Sequence, residues 1–245
     1  MRGKGMATTQ DAYEVARLLA EVQYPDSDGR PIAETDFQRV YLIYSVSVLD
    51  LYFQNQSDVY VSGNILIYYE EGNSKACISP DVFVIRNQEK RKRRSYKVWE
   101  EGEKYPNFVL EITSKSTVNE DQGSKKGLYA FWGVEEYFQY DPTGDYLKPQ
   151  FQGFRLIEGN YFPIPQVSLN EPNDFLLRSE VLGIDLCLKN QDLKFFEASS
   201  GVQLLGLEET ESARRAAELR AEQEAQRADR LAAKLRELGI DPDRL

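Results

Sequence analysis

A chain of 245 residues with 41% apolar and 12% aromatic residues can bury one sizeable α/β or α+β core and still carry an appendage, which argues against general disorder. Its net charge of −10 excludes nucleic-acid binding by bulk charge, so any such binding must use a local basic patch. With no histidine and two cysteines, it is excluded from Ser-His-Asp and Cys-His catalysis, histidine-based zinc hydrolysis, disulfide frameworks and thiolate zinc clusters.

A hydrolase built from this composition must therefore use carboxylates, lysines and a hard metal ion. Cys77 and Cys187 sit in apolar runs and read as small core residues, which suits a reducing compartment. No apolar run approaches the ~20 residues needed to span a membrane. The start, MRGKGMATTQ, lacks an apolar signal core, and Met6 reads as the natural start behind an appended leader. The expected location is the cytoplasm, with no membrane partner.

In chain order, residues 11–22 place Ala12, Val15, Ala16 and Leu19 on one helical stripe, stopped by Tyr24-Pro25. After the loop DSDGRP, Thr35-Asp36-Phe37-Gln38 is a capping-box pattern that opens a second helix. Its expected buried face is Phe37, Val40, Tyr41, Tyr44, Val48 and Leu51, and Glu34 stands at its entry. Runs rich in β-branched and aromatic residues at 58–62, 64–70 and 81–85 predict strands. Residues 89–97, EKRKRRSYK, have no apolar period and read as a loop or a polar helix end. NFVLEIT at 107–113 is apolar enough for a strand buried on both faces. Thr117-Val118-Asn119-Glu120 is a second capping-box pattern, opening a helix to Trp132 and Gly133, and 135–141 is the next strand. That order predicts a parallel crossover. Hairpins are expected over 151–164, turning at Glu158-Gly159-Asn160, and over 182–197.

Residues 207–238 are almost wholly Ala, Glu, Arg, Leu and Gln. Ala217, Ala221, Glu224, Ala228, Leu231, Leu235 and Leu238 alternate spacings of four and three, a heptad seam closed by Gly239 and Pro242. The expectation is a solvent-exposed helix with a self-association face giving a homo-oligomer such as a dimer. The alternative is a lone charged helix held by intrahelical ion pairs.

Asp81 follows Pro80 at the mouth of one strand, and Glu111 lies between Leu110 and Ile112 inside another. A carboxylate there is costly unless a cation offsets it. Two carboxylates on adjacent strands make an oxygen site for Mg²⁺ or Mn²⁺. Metal-assisted phosphodiester hydrolysis adds a lysine that stabilises charge on the phosphate, ordinarily two residues after the acid on the same strand face. That position is Thr113. Lys115, Lys125 and Lys126 are the available substitutes. The spacing is also met by a structural salt bridge between Glu111 and a lysine, or by the paired carboxylates of a carbohydrate-active enzyme.

SPDVFVI at 79–85, PNFVLEITSKST at 106–117, DQGSKKGLY at 121–129 and GVEEYFQYDP at 133–142 resemble, in order and gaps, the signature of the Uma-two family. That is a group of endonucleases of the PD-(D/E)XK, restriction-endonuclease-like superfamily. The resemblance covers residues 30–200 and leaves 1–29 as an N-terminal extension with one helix and 207–238 as a C-terminal helix. It implies an α/β (α+β) fold, a mixed β-sheet core flanked by helices, with the extra hairpins and the charged C-terminal helix added.

The resemblance also implies a metal-dependent endonuclease acting on DNA. Asp81 and Glu111 match the family's metal ligands, Lys125 its helix-borne lysine, and Glu34 an acidic residue that serves as a third ligand. Ser114, Ser116, Thr117 and Asp121 fall in motif stretches as site-shaping residues, and Tyr129 and Tyr137 match packing aromatics. The chain departs from the family at Gln38, where related sequences have histidine, and at Lys115, where many have proline. Arg91, Lys92, Arg93 and Arg94 lie between the two acidic motifs and are expected to grip phosphates near the site, unless they form a solvated loop. The competing expectation is a nuclease-like interaction module without strong catalysis, acting through the basic loop and the C-terminal helix.

Overall fold

The computed structural model describes residues 22–27 and 35–237. The helix expected over 11–22, Glu34, Leu238, Gly239 and Pro242 all lie outside this set, apart from Val22.

The first described helix, α1 (Asp36–Tyr52), starts on the expected capping box. Gln38 N–H donates to Thr35 Oγ1 (3.3 Å), and Thr35 N–H donates to Gln38 Oε1 (3.2 Å). Its buried face differs from the expected one. Phe37 and Val40 are exposed, while Ser45, Val48 and Leu49 are buried with Tyr41, Tyr44 and Tyr52 packed beside them. The stripe runs through Ser45, whose small side chain admits the helix close to the sheet, and a reading that scores serine as polar misplaces it.

Two of the predicted strands form an antiparallel pair, β1 (Val59–Ser62) and β4 (Val82–Arg86). β4 pairs antiparallel with β6 (Phe108–Ile112), and β6 pairs parallel with β7 (Glu136–Tyr140). The hairpin β8 (Phe151–Ile157) and β9 (Asn160–Pro163) completes a six-stranded mixed sheet in the order β1-β4-β6-β7-β8-β9. Its turn has positive φ at Glu158 (49°) and Gly159 (79°), the two-residue geometry that matches strand twist.

The crossover from β6 to β7 is two helices rather than one: α2 (Val118–Gln122) and α3 (Ser124–Trp132), broken at Gly123. The second expected capping box does not form. Thr117 is helical in φ/ψ, and its hydroxyl accepts from Ser114 N–H (3.0 Å), in the turn before the helix. α3 ends at Gly133, as expected, and does so in a left-handed cap with φ 77°.

Each face of the sheet is covered. One carries α1 together with a five-stranded antiparallel sheet, β10 (Val167–Ser168), β11 (Phe175–Ser179), β12 (Ile184–Lys189), β13 (Asp192–Glu197) and β14 (Gln203–Leu204). β12 and β13 are the second expected hairpin. The other face carries α3 and a three-stranded sheet of β2 (Ile67–Tyr68), β3 (Cys77–Ile78) and β5 (Tyr96–Lys97). Because side chains alternate, Val82, Val84, Phe108, Leu110 and Ile112 face α1, whereas Phe83, Ile85, Val109 and Glu111 face α3.

The chain divides into two compact units, Met1–Leu204 and Leu205–Leu245. The second contains α4 (Leu207–Glu237), which has no buried residue and carries i,i+3 and i,i+4 pairs from Arg214 and Arg215 to Glu211 and Glu218. Leu219 and Leu231 are exposed along it. We propose that this unpartnered heptad face joins two copies of the chain. Deleting 207–245 is then expected to lower the oligomeric state read by light scattering from dimer to monomer, and an unchanged oligomeric state would leave α4 a lone helix. Among the described residues no helix is long and apolar enough to cross a membrane.

Candidate active site

The register that pairs Val82 with Leu110 sets Asp81, one residue earlier, across from Glu111. Glu111 in turn pairs with Gln139 on β7. A polar row, Asp81–Glu111–Gln139, thus crosses three strands on the face that is otherwise Phe83, Val109 and Tyr137. Gly63 fixes the position of its first member. A Cβ there would sit 2.2 Å from the Asp81 carbonyl oxygen, so only glycine lets the chain leaving β1 pass this close.

Glu111 is fully buried. Its Oε1 accepts from the Tyr129 hydroxyl (2.5 Å), and its Oε2 accepts from Asp81 N–H (3.3 Å) and lies 3.1 Å from Lys125 Nζ. Asp81 Oδ2 accepts from Ile112 N–H (2.8 Å), so each acid is tied to the other's strand. α3 returns the Lys125 side chain to the sheet, and Lys125 Nζ also lies 2.9 Å from Asp121 Oδ1, one helical turn earlier. Asp121 is fully buried; its Oδ1 pairs with Lys125, and its Oδ2 has no hydrogen-bond partner.

Burial raises the Asp81 pKa well above the ordinary carboxylate range, and the neighbouring Glu111 charge raises it further. Burial also raises that of Glu111, against the lowering effect of Lys125. For Lys125, burial favours the neutral amine, but Glu111, Asp121 and Asp81 outweigh it and hold the ammonium charged. Burial, followed by the charge on Glu111, keeps the Tyr129 hydroxyl protonated and donating.

Asp81, Glu111 and Lys125 are therefore brought together, and the other two lysines are not. Lys115 is exposed at the end of the strand. Lys126 turns away, with Nζ 3.3 Å over the Phe154 ring, where burial lowers its pKa. Thr113, at the usual lysine position, is buried with its hydroxyl unpartnered, as is Gln139 Nε2. Gln38 donates from Nε2 to the Ile112 carbonyl (3.2 Å) and ties α1 to the site strand. Gln139 is the member that sequence reasoning missed, and Asp121, read there only as site-shaping, proves to be an ion-pair partner of Lys125. The i,i+4 spacing of Asp121 and Lys125 was the available signal for that pairing.

The basic loop lies elsewhere. It leaves β4 at Arg86, about 17 Å along the strand from Asp81. Lys90 there reaches Asp50 at the far end of α1 (2.8 Å), whereas Gln38 at the near end meets the site strand. Arg91 and Arg93 are engaged by Glu101 (2.6 and 2.8 Å), and Arg93 also stacks 4.2 Å over Tyr60. Burial would raise the Glu101 pKa, but Arg93 and Arg91 hold it below its ordinary value. Arg91, Lys92 and Arg94 are exposed, and of these Arg91 is paired with Glu101. The expectation that all four lie near the site is corrected: the loop is at the other end of the sheet, where Glu101 engages Arg91 and Arg93.

A groove of about 470 Å³ abuts the site through Thr113 and is lined also by Phe37, Gln38, Lys115, Pro142 and Tyr146. Among the described residues no three acidic or cysteine side chains converge as a ready metal cage. The donor set nevertheless fits a hard divalent ion of the Mg²⁺ kind, which takes one or two carboxylates and completes its shell with water and substrate phosphate. Three acids around one lysine, with buried unpartnered oxygens on Thr113 and Asp121, leave both charge and polar atoms for such an ion to satisfy.

A mixed sheet flanked by helices, with paired carboxylates on adjacent central strands and a parallel crossover behind them, is a restriction-endonuclease-like fold. A model of the Uma2 family, described as "Putative restriction endonuclease", matches residues 12–190, and the chain belongs to that family. No curated protein matches the chain. Among solved structures it is similar to a "putative nuclease belonging to DUF820" from Anabaena variabilis ATCC 29413, at 12% identity and a TM-score of 0.39, over 58% of this chain and 79% of that one.

Proposed function

We propose that this chain is a divalent-metal-dependent endonuclease that hydrolyses phosphodiester bonds of DNA at Asp81, Glu111 and Lys125. The supporting observation is the charge imbalance: Asp81, Glu111 and Asp121 share the single ammonium of Lys125 in a buried place. A structural ion pair needs one acid for one base, whereas surplus buried negative charge calls for a further cation.

Asp81 and Glu111 would hold the Mg²⁺ or Mn²⁺, each oriented by a fixed donor, Ile112 N–H for the first and the Tyr129 hydroxyl for the second. When bound, the ion polarises the phosphodiester and makes water a better nucleophile at neutral pH. Lys125, held protonated, serves as an electrostatic stabiliser of the charge that builds on the phosphate oxygens and not as a base. Water oxygen would attack phosphorus and lose its proton to solvent, the bond to the leaving deoxyribose oxygen would break, and that oxygen would take a proton from solvent.

Purified protein incubated with supercoiled plasmid and a panel of divalent metals tests this. Nicking is expected with Mg²⁺ or Mn²⁺, none in a chelator, and loss in Asp81→Ala, Glu111→Ala and Lys125→Ala. Nicking that persists unchanged in the Asp81 and Glu111 variants would sink the assignment. No nicking with any metal would favour the interaction-module reading.

A further inference from the structure

Glu111 Oε2, an oxygen that a metal on the Asp81–Glu111 pair would need, is already occupied by Asp81 N–H and Lys125 Nζ. Metal and ammonium therefore compete for one atom, and yet the proposed chemistry needs both in the site. The structure contains a second seat for the ammonium. Asp121 is four residues before Lys125 across the α2–α3 break, fully buried, and 2.9 Å from Nζ. Its Oδ2 has no hydrogen-bond partner. The Tyr137 hydroxyl donates to its backbone carbonyl (2.8 Å), which pins the acid against β7.

A buried carboxylate with an unsatisfied oxygen is costly to keep. As a structural counter-ion it is redundant, because Glu111 already pairs with Lys125. As a receiver it is apt, since an ammonium has three N–H groups and Oδ2 can accept the one that Glu111 gives up.

We propose that Asp121 is a positioning residue: it retains Lys125 in the site when a divalent cation displaces the ammonium from Glu111, so that metal and lysine are held together. This rests on the metal-binding reading of Asp81 and Glu111. In the metal-free chain Lys125 bridges the two acids. With the metal present it stands on Asp121 alone, close enough to act on the phosphate, with its charge offset.

Mn²⁺ affinity, read by electron paramagnetic resonance at pH 8.5 where proton competition for the carboxylates is least, tests this without measuring cleavage. Asp121→Asn keeps the shape and removes the charge, so Lys125 must cling to Glu111. Mn²⁺ binding is expected to weaken about tenfold, within the range of coupling between contacting residues. Asp121→Glu should restore part of it. In a Lys125→Gln background no ammonium competes, and Asp121→Asn should then change the affinity at most about threefold. Equal losses in both backgrounds would overturn the proposal.

A crystal structure of the wild-type chain with Mn²⁺ bound gives a second readout that does not depend on how well the variants fold. Lys125 Nζ should be beyond ion-pair reach of Glu111 and still paired with Asp121. An ammonium retained on Glu111 beside the ion would overturn the proposal while leaving the metal site intact. No Asp81-dependent Mn²⁺ binding in the wild-type chain would overturn the metal reading itself, and this inference with it.

Discussion

Replacing Lys125 with methionine is expected to cost about 3–5 kcal/mol of folding stability at pH 8, the range for removing one partner of a buried ion pair. Methionine keeps most of the aliphatic stem and deletes only the charge. What remains is Asp81, Glu111 and Asp121 with no cation among them. The pH dependence separates charge from packing. Burial already raises the pKa values of Asp81 and Glu111, and Lys125 is the group that lowers both, so its loss raises them further. A carboxylate whose folded-state pKa exceeds its unfolded value binds more protons folded than unfolded, so stability falls as pH rises through that interval. The penalty should be small at pH 4, where these groups hold their protons, and full at pH 8. Urea unfolding of wild type and variant at the two pH values checks this. An equal penalty at both would mean that the lysine acts by packing and not by charge.

The framework of this site was legible because strand side chains alternate. Asp81 at the mouth of VFVI and Glu111 inside FVLEI could be placed on adjacent strands from the apolar runs around them, and the missing histidines had already confined the chemistry to acids, lysine and metal. The lysine was not legible from spacing. Lys115, Lys125 and Lys126 are separated only by where a helix crosses back over the sheet, and that is a tertiary fact; the family resemblance pointed to Lys125, and the structure places its Nζ on Glu111. Asp121 was under-read for a related reason. In sequence it is one more polar residue near a helix start, and only the burial of its side chain beside Lys125 turns it into an ion-pair partner. Gln139 was hidden inside EEYFQYD, where a polar residue on an apolar strand gives no hint that it pairs with Glu111. The basic loop shows the converse limit. A run of four cations invites a reading by charge, but Glu101 and the faces of Tyr60 and Tyr96 engage Arg93 before any ligand does. The face of α1 failed at Ser45, a polar residue that is fully buried.

Asp81→Asn is expected to move stability and activity in opposite directions, which a residue kept for the fold alone does not do. Burial and then the Glu111 charge raise the Asp81 pKa, so ionising this carboxyl in the folded chain is costly. Its folded form therefore binds more protons than its unfolded form, and stability is lost as pH rises from the ordinary carboxylate range through the raised value. Asparagine can still accept from Ile112 N–H, the 2.8 Å bond that holds the wild-type side chain, and it carries no charge. The metal-free variant should be more stable than wild type at pH 8 by about 1–3 kcal/mol, the scale on which one incompletely paired buried charge acts. That corresponds to a rise in Tm of roughly 2–4 °C per kcal/mol. The advantage should shrink to a small remainder near pH 4, where the folded chain holds Asp81 protonated. A divalent ion should reverse the order. Bound to the folded wild-type chain alone, it adds about 2.7 kcal/mol at a concentration about 100-fold above Kd, and the variant should lack this gain. Cleavage should fall about 10³-fold or more, since several kcal/mol of transition-state charge stabilisation goes with the ligand and each ~1.4 kcal/mol is tenfold in rate. Thermal melts in chelator and in Mg²⁺, alongside the plasmid assay, check all three. A variant that is less stable than wild type in chelator, and that still gains from Mg²⁺, would show that Asp81 is part of the scaffold and not a metal ligand.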